Sequence, residues 1–193
     1  MLRSWTSALS FSTLFFAALI SLAASSSAQI PTRGNVFFGY SYDHTAISSG
    51  DSAGLNGWDF ALEGKLIPWV GLVADIDGHY GSHTYSTFCG LPPCIPPENA
   101  NIAEHNFLFG PRVSVQVQRF RPFGEVLVGA AHVSRSNGIS DSNTSFANAV
   151  GAGLDYRIAG PLAVRGQLDW VNTRFYGQGQ NGAQLTLGVA FHF

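Results

Sequence analysis

From residue 34 onward, large apolar residues recur at every second position, which is the period of a strand with one apolar face. The last segment is the clearest. Ala183, Leu185, Leu187, Val189, Phe191 and Phe193 share one side, and Gln184, Thr186, Gly188, Ala190 and His192 share the other. The first segment sets Val36, Phe38, Tyr40 and Tyr42 against Ser41 and Asp43, and the second sets Trp58, Phe60, Leu62 and Leu66 against Asp59, Glu63 and Lys65. The third opposes Leu72, Ala74, Ile76 and Tyr80 to Asp75, Asp77 and His79; the fourth opposes Phe107, Phe109, Val113, Val115 and Val117 to Asn106, Arg112, Ser114 and Gln116. In the sixth, Phe146, Val150, Leu154 and Tyr156 face away from Asp155 and Arg157; in the seventh, Val164, Leu168 and Trp170 face away from Arg165, Gln167 and Asp169. The fifth, over 123–134, is blurred because Leu127 shares the parity of Glu125. One charge in each segment sets its phase, and the remaining charges still fall opposite the bulky apolar residues.

The links between these eight segments alternate in length. Short ones occur at Ile67-Pro68-Trp69, Arg119-Phe120-Arg121-Pro122 and Ile158-Ala159-Gly160-Pro161; longer polar ones are expected near 45–54, 82–103, 135–144 and 175–182. Tight turns at one end and long loops at the other, with an even strand number, are the pattern of a transmembrane barrel. Pro suits such turns, whereas inside a strand it would delete a ladder hydrogen bond. Segments of this length, tilted, are long enough to cross a bilayer. An open sheet cannot cross, because its unpaired edge would meet hydrocarbon. The expectation is therefore all-β: an eight-stranded antiparallel transmembrane up-and-down β-barrel. Aromatics fall where interfacial girdles would lie, with Tyr40, Tyr42, Trp58, Tyr80 and Trp170 near the loop ends and Trp69, Phe123, Tyr156 and Phe193 near the turn ends. A soluble lipocalin-like barrel would bury the apolar face instead. The polar face here is rich in Gly, Ser and Ala, sizes that fit a narrow interior, so the bulky face is assigned to lipid.

Composition agrees with this assignment. Of 193 residues, 46% are hydrophobic but only 11% are charged, against about 25% charged in soluble domains. Mean hydropathy is only +0.13, too low for a helical bundle, and past the first two dozen residues no apolar run nears the roughly 18 residues of a spanning helix. A net charge of −2 leaves no basic footprint for nucleic acid. Residues 1–28 read as a cleavable signal peptide. Arg3 precedes an apolar stretch from Leu9 to Ala24, and Ser26-Ser27-Ala28 closes it. The barrel domain is then 29–193. In an oxidising compartment, Cys89 and Cys94 are expected to form a disulfide within the second loop, with a zinc site that adds His79, His83 or His105 as the other possibility.

On the segment Phe123-Gly-Glu-Val-Leu-Val-Gly-Ala-Ala-His132 and the ending Leu187-Gly-Val-Ala-Phe-His-Phe193, together with the leader and the eight strands, the chain resembles the small outer-membrane barrels of the OmpA, OmpX and opacity-protein type. The resemblance covers essentially all of 34–193. It implies location in the bacterial outer membrane and outer-membrane lipid and lipopolysaccharide as surroundings. It also implies biogenesis through the barrel-assembly machinery, with Phe191 and Phe193 in the assembly signal. The resemblance is to the barrel alone, so a peptidoglycan-binding domain and anchoring to the cell wall are not expected.

Candidate chemistry lies on the polar face. Glu63, Lys65, Asp75, Asp77, Arg112, Glu125, Asp155, Arg157, Arg165 and Asp169 are expected to line the lumen, with Asp43 and Asp59, as a charge network. Buried charges must pair. Following chain direction, Lys65, Arg112, Glu125 and Arg157 fall toward the turn end and Asp43, Asp59, Asp77 and Asp169 toward the loop end. The bland reading is a structural ion-pair network; the sharper one is a conducting or cation-binding lumen. Asp75-Ile-Asp77-Gly78 resembles the start of a calcium loop but lacks the further ligands such a loop needs. His132 and Ser134 stand two apart on one strand face, as His and Ser do in outer-membrane lipid A deacylases. Arg135 replaces the Asn expected after the Ser, and Asp141 is the only guess for an acid. His79, His83 and His105 flank the second loop and are read as solvated rather than metal-binding. The expectation is a non-enzymatic barrel without a cofactor, with a structural or surface-interaction role through four external loops. An extracellular ligand is left open, and the competing classes are a small porin-like ion conductor and a lipid A-modifying enzyme.

Overall fold

The computed structural model describes residues 33–48, 51–85, 98–136 and 140–193, with side chains described except at 45–48, 51–53, 83–85, 98–100 and 140. The expected signal peptide, residues 1–28, and the cysteines Cys89 and Cys94 lie outside the described residues. Eight strands follow one another: β1 (Gly34–Ser48), β2 (Asp51–Ile67), β3 (Val70–Tyr85), β4 (Glu98–Ser114), β5 (Phe120–Ser136), β6 (Ser140–Ala159), β7 (Leu162–Thr173) and β8 (Gln180–His192). Each pairs antiparallel with the next. β1 pairs with β8, Phe38 opposite Val189 and Tyr40 opposite Leu187, which closes the barrel. Closure leaves no sheet edge, so the ladder satisfies the backbone of the spanning wall.

The turn end is tight. β2 and β3 are joined across Pro68 and Trp69, and β6 and β7 across Gly160 and Pro161. Gly160 has φ of +51°, a conformation that costs glycine little because it has no Cβ. Between β4 and β5, Val117 and Phe120 exchange backbone hydrogen bonds of 2.8 and 2.9 Å.

The loop end departs from the sequence expectation. The expected links at 45–54, 82–103, 135–144 and 175–182 are in good part strand. β6 alone runs for 20 residues, about twice what a bilayer crossing requires. The register continues through polar pairs such as Asn101 with Ser136 and Ser134 with Ser142. Both faces are polar there, so apolar periodicity fades while backbone pairing persists. The barrel wall therefore continues past the apolar band. Between β7 and β8 the chain makes one 3-10 turn, Phe175–Gly177.

The outward face is apolar all round: Phe38 is 62% exposed, Val150 58%, Trp170 58% and Val126 51%. No water-facing surface carries a continuous belt of this kind; lipid does. The inward face holds Glu63, Asp77, Arg112 and Arg165, each at most 1% exposed. Strand parity also sends apolar side chains inward, Phe37, Phe123 and Leu127 among them. Phe123 thus fills the lumen and is not part of the turn-end girdle, while Trp69, Tyr156 and Phe193 are exposed at that end.

Candidate functional site in the barrel lumen

The lumen is read most easily from the turn end. At the mouth, Lys65 Nζ sits 2.5 Å from Glu63 Oε1 and donates to Ser114 Oγ at 2.6 Å. Arg121 donates to the same hydroxyl at 3.0 Å and to His192 Nδ1 at 2.8 Å. His192 Nε2 lies 3.2 Å from Asp155 Oδ2, so the contacts fit an imidazole that accepts through Nδ1 and donates through Nε2. Arg157 is exposed at the rim and lines the cavity there instead of entering the buried network.

Deeper in, two buried guanidinium groups close the bore. Arg165 grips Asp155 with two hydrogen bonds, of 2.6 and 3.0 Å, and donates to Asn35 Oδ1 at 3.0 Å. Asn35 passes the connection on, donating to Glu63 Oε2 at 2.6 Å. Arg112 donates to Glu125 at 2.6 Å and lies 3.5 Å from Glu63. Phe123 is packed between the two arginines, its ring centroid 4.3 Å from Arg112 Cζ and 4.7 Å from Arg165 Cζ; Phe37 sits 4.8 Å from Arg165. Such cation–π packing suits a desolvated guanidinium. The rings fit because Gly153 and Gly39 leave slots: a Cβ on Gly153 would run into Phe123, and one on Gly39 would meet the Phe37 ring at 2.7 Å.

Above this layer the lumen turns acidic. Gln167 bridges Glu125 and Asp169, donating to each at 2.8 Å. Asn106 donates to Asp77 at 2.9 Å. His79 is 1% exposed, with Nδ1 3.1 Å from Asp77 and Nε2 2.9 Å from Ser41. It is thus an interior residue, not a solvated loop residue. Asp43, Asp59, Asp75 and Glu104 are also buried in the interior. Cations gather at the turn end and carboxylates at the loop end. Among the described residues, no group of three or more His, Cys, Asp or Glu side chains could hold a metal ion.

On the outer face, His132 and Ser134 point away from the lumen. His132 Nδ1 lies 2.7 Å from Thr144 Oγ1, while Asp141 accepts from the Tyr176 hydroxyl at 2.6 Å. That hydrogen bond raises the Tyr176 pKa above its ordinary value. The guessed acid is therefore turned to Tyr176. His105 faces outward as well, 3.0 Å from the Tyr80 hydroxyl.

The model of the outer membrane protein beta-barrel domain matches residues 14–193. The chain belongs to that family. Its members are outer-membrane proteins, and this barrel is one of them. Solved barrels of similar fold include Neisserial surface protein A, at TM-score 0.65 and 13% identity, over 83% of this chain and 97% of that one. Ail of Yersinia pestis, in complex with the heparin analogue sucrose octasulfate, superposes at TM-score 0.60 and 13% identity, over 83% and 98%. OprG of Pseudomonas aeruginosa does so at 0.56 and 10%, over 83% and 95%. No curated protein matches in sequence.

Several interior residues escaped the sequence reading. Asn35 and Glu104 sit on the inward parity of their strands and could have been found by parity alone. Phe37 and Phe123 share that inward parity, but their bulk favoured the lipid side, where Phe123 was expected in the turn-end girdle.

Proposed function

We propose that this protein is a closed, non-conducting and non-enzymatic outer-membrane barrel that acts by presenting its external end to partners. One observation carries the reading: Arg112, Arg165, Phe37 and Phe123 fill the bore side to side, each at most 1% exposed except Phe123 at 6%. An eight-stranded barrel has room for side chains and not for a permanent channel. The turn of Asp141 toward Tyr176 supports the absence of a hydrolytic triad at His132 and Ser134. Among the described residues of the external end, Asp141 and Arg174 are exposed and Arg135 is half-buried. The second loop, for which we propose a disulfide between Cys89 and Cys94, is the contact surface we assign to it. Lipopolysaccharide surrounds the outward girdle of Tyr40, Tyr80 and Trp170. Phe191 and Phe193, each about half exposed, present the signal read by the assembly machinery.

Planar-bilayer recording tests the closed bore. The purified barrel is expected to give no stable unitary currents under moderate voltage. Steady, reproducible conductance steps would make it an ion conductor instead.

A further inference from the structure

The turn-end mouth holds a cavity that the proposed function does not use. It measures about 440 Å³ and is lined by Arg33, Lys65, Arg121, Arg157, His192 and the hydroxyl-bearing Ser114, with an apolar lip from Leu66 to Pro68. No acidic side chain lines it among the described residues. The two nearest side-chain carboxylates lie behind the wall and are already engaged. Glu63 is held by Lys65, Arg112 and Arg121 at 2.5, 3.5 and 3.6 Å, and Asp155 by Arg165 and His192. Arg33, Lys65, Arg121 and Arg157 thus surround a cavity whose anionic groups are all engaged: Glu63 and Asp155 behind the wall, and the carboxylate of Phe193, which accepts from Gly34 N at 2.9 Å.

A network that existed only to neutralise itself would place its cations against its anions. Arg33 and Arg157 do not follow that rule: both are exposed at the cavity, on the side away from the acidic half of the lumen. Guanidinium groups present several donors in a plane and suit phosphate oxygens, which they can grip in pairs. Arg121 and Lys65 already converge on Ser114 Oγ from two sides, so the floor of the cavity is a preset ring of donors. The short turns of such barrels face the periplasm, which places the cavity on that side.

We propose that the periplasmic mouth is a binding site for a phosphate ester, whether the headgroup of an anionic phospholipid in the inner leaflet or a soluble glycerol phosphate. Arg157 and Arg33 grasp the phosphate at the rim. Arg121 and Lys65 complete its coordination from the floor, and the apolar lip lies beside a glycerol or acyl portion.

The test uses the barrel purified from outer membranes in zwitterionic detergent. Glycerol 3-phosphate is titrated by calorimetry in one arm, and phosphatidylglycerol is mixed into the micelles in the other, with native mass spectrometry as readout. Saturable one-to-one binding is expected in at least one arm. Arg33→Gln/Arg157→Gln, two exposed substitutions that spare the buried network, should weaken it by about tenfold or more, whereas Arg135→Gln at the opposite mouth should not. Binding of the lipid alone identifies a membrane headgroup, and binding of glycerol 3-phosphate as well identifies a soluble ester. Absence of saturable binding in both arms, or equal affinity in the double variant whose gel mobility shows it folded, would overturn the proposal.

Discussion

Replacing Arg165 with Met removes the centre of the buried network while nearly conserving side-chain volume. Three hydrogen bonds are lost, two to Asp155 and one to Asn35. Each bond to a charged group contributes about 1.5–3 kcal/mol, and the packing on Phe37 and Phe123 about 0.5–2 kcal/mol more. Much of that gross gain offsets the desolvation of the guanidinium, so the sum overstates the effect. The decisive part is Asp155, which would remain buried with only His192 at 3.2 Å. Breaking a buried pair from one side costs about 3–5 kcal/mol. His192 moderates this, and the expected cost is about 3 kcal/mol. Asp155→Leu should cost a similar amount, since it strands Arg165. The double variant leaves neither charge behind and should be no worse than either single one, a coupling of about 3 kcal/mol, at the upper end of measured pairs. Equilibrium unfolding by urea in lipid vesicles, followed by tryptophan fluorescence and gel mobility, reads all four proteins. An additive double variant, or a single variant within about 0.5 kcal/mol of wild type, a surface-like effect, would refute the account of this layer.

Other perturbations separate the two faces of the wall. Val126→Arg places a charge on the lipid side near the middle of β5 and should cost about 2–4 kcal/mol in the same assay; a neutral effect would mean that this face meets water. Gly153→Val fills the slot that receives Phe123 and should cost about 1–3 kcal/mol through overpacking, with near-ultraviolet dichroism reporting the displaced ring. Thiol alkylation with and without reductant, read by intact mass, should find Cys89 and Cys94 blocked until reduced; labelling without reductant would exclude the disulfide. Phe193→Ala should lower the yield of folded barrel in cells but leave refolding into detergent unchanged, and an equal yield in cells would remove the assembly role.

The barrel was legible because lipid imposes one rule on every outward residue. A bulky apolar side chain at alternate positions is required all the way across, and eight strands repeat it. Strand ends were harder to read. In pairs such as Ser134 with Ser142 the wall has left the apolar band, so both faces tolerate polar residues and the alternation vanishes while the ladder goes on. The interior obeys no comparable rule. Its charges were found because Asp59, Arg112 and Arg165 stand opposite apolar neighbours. The partners of those charges depend on which strands lie side by side around the bore. Arg165 on β7 reaches Asn35 on β1, 130 positions apart, and no local pattern connects them. Phe37 and Phe123 were hidden for the opposite reason. Their bulk fits lipid in general, and only Gly39 and Gly153 make room for them inside. His79 was read from its nearness to a loop, whereas its parity with Asp75 and Asp77 put it in the lumen.

The central claim is that the bulky face of this wall meets lipid and the charged face fills a closed bore. The three tryptophans of the barrel report on it directly, because Trp58 and Trp170 lie on outward parity and Trp69 is exposed in the turn between β2 and β3. In vesicles made with lipids brominated along the acyl chains, their emission should be strongly quenched. Bromines set near the headgroups should quench more than bromines at the chain ends, since all three sit toward the rims of the apolar band. Emission that ignores the brominated lipids would place the tryptophans inside a barrel of opposite polarity and contradict the account.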